Sequence, residues 1–238
     1  MRFAPAACAG ALALALGGCA RADDGADRYT EFFNRLHPSV VLFTMQIPAD
    51  DPKRKGQWDA AYGSGVVVAS GPAGSRILTD AHVVADARKL RATIGDVRPS
   101  VPATVTAVSD DDDDLALIDV PAPALPAVRL GRPAQIVPGL AIGVLGYPIP
   151  DAFEDEHLRT VVSLYAGRVA SVRNGTIEVD VPVIPGESGG PVFDAHDGSI
   201  IGIAESRFDD ERAIGFVTPV DVIDRFLAAH HVATGTAR

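Results

Sequence analysis

Ser188 lies in "VIPGESGGPVFD", residues 183–194, with Pro185-Gly186 before it and Gly189-Gly190-Pro191 after it. Turns use Gly and Pro constantly, so the stretch reads equally as a tight turn between strands or as a loop presenting a nucleophile. A serine hydroxyl attacks a carbonyl at neutral pH only with a base to take its proton, usually a histidine, and an acid to orient that base. It also needs donors aimed at the developing oxyanion. His82 in "SRILTDAHVV" is the candidate base: a strand-like run, 76–79, ends and the chain turns through Asp80-Ala81-His82. Asp114 is the candidate acid. Within the acidic run 110–114 it alone abuts the apolar "LAL" that follows. That run reads otherwise as a solvated loop or a weak cation site.

The elements that must position these residues read as short strands. "VVLFTMQI", "SGVVVAS", "RILTDAHVV", "KLRATIG", "VPATVTAVS" and "DLALIDV" are rich in Val, Ile and Thr and are bounded by Gly, Pro or Asp. A proline-rich connection, 121–139, separates them from a second series: "LAIGVLGYP", "RTVVSLYAGRVASVR", "TIEVDVPVI", "GPVFD", "SIIGIAES" and "AIGFVTPV". This pattern predicts an all-β chain of two consecutive antiparallel barrels. Helical spacing of Val222, Ile223, Phe226 and Leu227 predicts a C-terminal helix. "DRYTEFFNRL" reads as weakly helical, residues 20–28 as an acidic tether, and "PADDPKRKGQWDAAYG" as a polar loop holding Trp58.

In this order and spacing the segments resemble trypsin-like (chymotrypsin-fold) serine proteases. They are most similar to the bacterial HtrA/Deg-like branch, which typically shows T-N-A-H-V-V, D-L-A-V, G-N-S-G-G-P and I-G-F-A-I-P. The resemblance spans roughly residues 38–228 and implies two six-stranded barrels with the site in the cleft between them. It implies His82 as general base, Asp114 as its orienter, Ser188 as nucleophile, and the amides of Gly186 and Ser188 as the oxyanion hole. Ile203, Ala204, Glu205, Ser206 and Arg207 correspond to an edge strand that pairs with substrate backbone. Val183, Ile184, Gly215 and Phe216 would line the primary pocket. No carboxylate is evident at its base, so small or medium apolar side chains are the expected preference.

The expected function is therefore a serine endopeptidase acting on envelope proteins through an acyl-enzyme. The alternative is a non-catalytic protease-fold lipoprotein that binds peptides or protein partners. Two departures from the family pattern bear on this. Asp80 stands where Asn or Ala is common, and Glu187 where the bacterial branch has Asn. A Glu187 side chain in the cleft would oppose an oxyanion, and one turned into the barrel would need a partner. No metal-ligand spacing, P-loop or dinucleotide fingerprint occurs, so no metal or cofactor is expected.

The first residues, "MRFAPAACAGALALALGGCA", have a basic start, an apolar run and small residues, a secretory pattern. Leu16-Gly17-Gly18-Cys19 resembles a lipobox, which implies lipidation at Cys19 and anchoring in the bacterial cell envelope. The only other cysteine, Cys8, lies in the same leader. An exported domain would then be held by its core without disulfides. The expected layout is a signal peptide 1–18, a lipid-anchored N-terminal segment 19–37, a protease domain 38–228 (barrels about 38–122 and 135–220) and a tail 229–238. No PDZ domain is expected. Phe32-Phe33 reads as packing against the barrel; the resemblance adds a homotrimer contact as the other reading. Net charge is −10, from 21 basic and 31 acidic residues, and no basic stripe offers a nucleic-acid footprint.

Overall fold

The computed structural model describes residues 25–95, 99–109, 113–173, 175–205 and 214–236. The leader, Cys19, Ser206, Arg207 and Asp110 to Asp112 lie outside these residues. Helix α1 (Gly25–Leu36) leads into β1 (Val40–Pro48), β2 (Trp58–Gly71) and β3 (Gly74–Asp80). The four-residue helix α2 (Ala81–Val84) follows, then β4 (Arg88–Ile94), β5 (Val101–Pro102), β6 (Thr104–Val108) and β7 (Leu115–Val120). Their order across one sheet is β5-β4-β1-β2-β3-β7-β6. Only Ala103 separates β5 from β6, and its amide bonds Leu90 O at 3.1 Å. The chain thus ties the two ends of the sheet, which curls around Phe43, Val67, Ile77, Ile94 and Ile118.

The second half contains β8 (Arg129–Leu130), β9 (Ala141–Gly146), α3 (Pro150–Asp155), β10 (Ser163–Arg173) and β11 (Thr176–Val179). It continues through β12 (Pro191–Asp194), β13 (Ile200–Glu205), β14 (Gly215–Pro219), α4 (Val220–Ala229) and β15 (Gly235–Thr236). The order β12-β9-β10-β11-β14-β13 is closed by a β12–β13 ladder, giving a six-strand barrel. Val144, Val169, Ile177, Val192, Ile201 and Val217 fill it. Each strand contributes one of these residues, and β12 and β13 are buried at every position, on both faces. The two consecutive β units and the terminal helix match the sequence reading, the second unit as a closed six-strand barrel and the first as a seven-strand sheet curled into a half-barrel.

Four local readings change. Residues 25–28 belong to α1 rather than to a tether. Trp58 begins a strand, because Trp58–Gly63 continues the β1 ladder as far as Pro48↔Trp58. Its ring lies under the Arg88 guanidinium, 3.3 Å from the centroid, a packing role. Arg129–Leu130 and Gly235–Thr236, which read as linker and tail, pair in parallel as β8 and β15 beside β13. Propensity cannot reveal a two-residue strand made only by long-range pairing.

The polar face of α1 stays outside while Phe32 packs edge-on against Phe193 of β12, ring centroids 5.9 Å apart. Phe32 is 5% exposed. Phe33 stacks on His37 at 5.0 Å. The packing reading of the aromatic pair is the one these contacts support.

Candidate active site

The β3 strand ends at Asp80, and α2 begins at once, placing His82 in its first turn. Asp114 sits just before β7, the neighbour of β3, with Asp80 opposite Leu115. The turn at Asp114 is left-handed, φ +50°. Such backbone on a non-glycine residue persists only when its surroundings fix it. Three bonds do so here. Ala81 N–H donates to Asp114 O at 2.9 Å. His82 N–H donates to Asp114 Oδ1 at 2.9 Å, and His82 Nδ1 meets Asp114 Oδ2 at 2.6 Å. A carboxylate gripping both backbone and ring fixes the imidazole orientation and leaves Nε2 for other partners.

Asp80, fully buried, brings a third ligand-type atom within 4.8 Å of His82 and Asp114. This is the one group among the described residues that could hold a cation. His82 Nδ1 and both Asp114 oxygens are already engaged with each other. The cluster therefore reads as an oriented histidine–carboxylate pair with a second carboxylate behind it.

Ser188 follows β11 on the loop before β12 and is 6% exposed. The loop is bound to both barrels. Ser188 O accepts from Ser64 N–H of β2 at 2.8 Å. The Ser64 hydroxyl donates to Gly186 O at 2.7 Å and accepts from Tyr147 N–H at 3.0 Å. The Thr79 hydroxyl, three residues before His82, donates to Ser64 O at 2.7 Å. A Cβ on Gly189 would fall 2.2 Å from both Ser64 O and Thr79 Oγ1. The serine loop is thus packed on the strand that carries the histidine. Ser64 and Thr79 escape sequence reasoning because their roles depend on partners up to 122 residues away.

Gly186 has φ +95°, and a Cβ there would fall 2.3 Å from Tyr147 O. Both features require glycine. Beside it, Ile149 is also left-handed, φ +35°, held by its N–H on Pro185 O at 2.8 Å. Helix α3 starts here. The sequence reading did not include α3; Pro150 at its first position and Asp151 in its first turn are the signals for it. Glu154 of α3 accepts from the Tyr62 hydroxyl of β2 at 3.0 Å, joining the two halves. Burial, then this bond, pushes the Tyr62 hydroxyl up to about 12.

Glu187 is fully buried, so its side chain is not exposed in an open cleft. Its Oε2 accepts from Ile184 N–H at 3.0 Å, while its own N–H donates to Ile184 O at 3.0 Å. Oε1 has no hydrogen-bond partner among the described residues. Burial pushes the carboxyl up to about 7, partly opposed by the Ile184 amide.

Val183 and Gly215 are adjacent: a Cβ on Gly215 would lie 2.6 Å from Val183 Cγ2. Ile184 and Phe216 are partly exposed at the same end. Ile203 and Ala204 are enclosed within the barrel ladder. Ala204 donates to Gly190 O at 2.8 Å and accepts from Gly189 N–H at 2.9 Å. Ala204 thus spends its backbone groups inside the chain, which moves any strand pairing with a ligand to positions after it. Glu205 is 6% exposed, and its Oε2 lies 3.5 Å from the Thr218 hydroxyl.

A family model described as a trypsin-like peptidase domain matches residues 63–203. A probable periplasmic serine endoprotease DegP-like of Pseudomonas fluorescens is 30% identical over 197 residues, 81% of this chain and 38% of the relative. The protein of that description from Hahella chejuensis is 31% identical over 206 residues, 84% and 42%. Protease Do-like 1, chloroplastic, of Arabidopsis thaliana is 30% identical over 202 residues, 80% and 44%. The chain spans about two fifths of the length of these relatives. Among solved structures, an HtrA-type protease, AlgW, with tripeptide superposes at TM-score 0.67. Identity is 24%, covering 86% of this chain and 65% of that one. A serine endoprotease from Yersinia pestis also superposes at 0.67, with 23% identity, covering 84% and 65%. These superpositions establish the fold.

Proposed function

The chain belongs to the trypsin-like peptidase family, and on that premise we propose that it is a serine endopeptidase of HtrA type that hydrolyses proteins of the bacterial envelope. Ser188 is the nucleophile. His82 takes its proton and returns it to the leaving amine. Asp114 holds the His82 tautomer and stabilises the imidazolium. The amides of Gly186 and Ser188 receive the oxyanion, and water releases the acyl group in a second round through His82. The observation that carries this reading is the double grip of Asp114 on His82, through ring and backbone, beside a serine loop packed on Thr79.

Val183, Ile184, Gly215 and Phe216 form an apolar primary pocket suited to small or medium side chains. Of the residues expected to pair with substrate backbone, Glu205 at the end of β13 is the described position left for that contact. The leader pattern and Cys19 support export and lipid anchoring, with the domain facing the periplasm. For its partners, the reading requires protein or peptide substrates and a membrane surface.

Proteome digestion with the full chain, against Ser188→Ala as blank, tests the reading. New N-termini should appear only with wild type and should follow small or medium apolar residues. Binding of unfolded protein by both forms, with no new N-termini from either, would favour the non-catalytic alternative.

A further inference from the structure

Glu187 combines three features that a spacer residue would not need. It precedes the nucleophile directly. Its side chain is fully buried. Its carboxylate and amide close a ring with Ile184 through two 3.0 Å bonds, one from each direction. That ring spans the Gly186 peptide, whose φ of +95° sets where its N–H points. Opening it would free the turn carrying Val183 and Ile184 as well as the Gly186 donor.

The second oxygen, Oε1, is buried with no hydrogen-bond partner among the described residues. Few groups facing this carboxyl could compensate a charge. From β9, Gly146 packs on the base of the residue and brings no side chain; a Cβ there would fall 3.1 Å from Glu187 Cα and 3.2 Å from its Cβ. From β2 the neutral hydroxyl of Ser64 lies beside that position. From β10 the titratable group is Tyr165, whose proton is held more tightly by burial first and by Glu187 second. From β13, Ala204 contributes only backbone, to Gly189 and Gly190. Of the other titratable groups of the site, His82 is held by Asp114, with Asp80 in the same cluster. Among the described residues, no cation stands among the groups acting on this carboxyl.

We propose that Glu187 is a positioning residue of the oxyanion loop, competent when its carboxyl is neutral, so that deprotonation slows acylation. The inference rests on the serine-peptidase reading. The neutral carboxyl still accepts from Ile184 N–H and keeps the loop shaped. The ionised carboxylate accepts more strongly, but that bond is the same before and during the reaction and leaves the rate unchanged. Its charge differs in effect: it repels the negative charge that develops only in the transition state, in surroundings that screen it weakly. Burial holds the neutral form up to about pH 7, so the change falls within the range of the envelope.

The test uses the full chain and a fluorophosphonate probe, with wild type, Glu187→Gln, Glu187→Ala and Ser188→Ala. Glutamine keeps an acceptor for Ile184 and carries no charge. The Gln/wild-type ratio of labelling rates, which cancels the pH dependence common to both, should be near one at about pH 5.5. It should rise through about pH 7 to about tenfold or more at about pH 8.5. Alanine removes the acceptor and should label slowly at every pH, while glutamine restores the rate. The unfolding midpoint of the Gln variant relative to wild type should also rise with pH, which needs no activity. A flat ratio alongside Ser188-dependent labelling overturns the inference alone. Absence of Ser188-dependent labelling overturns the serine-peptidase reading; the unfolding midpoints then decide whether this carboxyl is buried neutral. If the Gln variant fails to fold, Glu187→Asn, the shorter amide, must show the same rising ratio.

Discussion

Asp114 is held in left-handed backbone by bonds to Ala81 N–H, His82 N–H and the His82 ring. Replacing it with Asn keeps an oxygen for His82 N–H but presents a donor to the ring, which favours the wrong tautomer. Asp114→Asn should fold normally and label with a fluorophosphonate about 10³- to 10⁴-fold more slowly; an unchanged rate would remove Asp114 from the proposed mechanism. Glu187 carries a stability consequence as well. Its folded value is raised from 4.5 to about 7. Folding therefore gains from the protonated form below about pH 4.5, and this gain is lost as pH rises through about 7. The full loss is about 3 kcal/mol, and the Gln variant should lack it in denaturant titrations at about pH 5 and pH 8. The pairing of His82 with Asp114 was legible because each stands in a distinctive stretch at a strand end, and the structure brings the two together. Ser64 was not, since nothing near "YGSGVV" says that its hydroxyl bridges Gly186 and Tyr147. For Glu187 the sequence raised the question, and only burial answered it.

Strands that carry the site were legible where both faces are apolar, as in Leu115–Val120 and Ile200–Glu205. They were missed where pairing overrides context: Trp58–Gly63 follows the polar, Pro- and Gly-containing stretch 48–57 yet extends the β1 ladder. Helix α3 was missed because it has only six residues, and its start depends on Ile149 bonding Pro185 across the loop. Helix α1 is a different case: its aromatic content was visible, but its partner was not. Phe32 docks on Phe193, in the strand that follows the Ser188 loop. Phe32→Ala should cost about 3 kcal/mol or more by leaving a cavity there. Chemical denaturation would check this. A change below about 1 kcal/mol would mean that α1 contributes little to the barrel.

The molecule joins two β units through contacts that also build the candidate site. Ser64 N–H to Ser188 O, the Ser64 hydroxyl to Gly186 O, and Tyr62 to Glu154 all link the first sheet to the second half. The geometry of the candidate site and the packing between the two β units are therefore one network. The two-barrel plan was readable from the two runs of short strands and the proline-rich connection between them. The curl of the first sheet, turned through Ala103, and the closure of the second by the β12–β13 ladder were not. At this scale the leader also makes a commitment. Cys19→Ala should move the chain from the membrane fraction to the soluble fraction of cell lysates, since a single acylated cysteine supplies the proposed anchor. Unchanged fractionation would remove lipidation from the account. The central claim is nucleophilic catalysis by Ser188. Its most direct measurement is mass spectrometry of the full chain after reaction with a fluorophosphonate at neutral pH. The expected result is one adduct on the peptide containing Ser188, abolished in Ser188→Ala and strongly slowed in His82→Ala. An unmodified Ser188 in the folded protein, or equal labelling of all three forms, would contradict it.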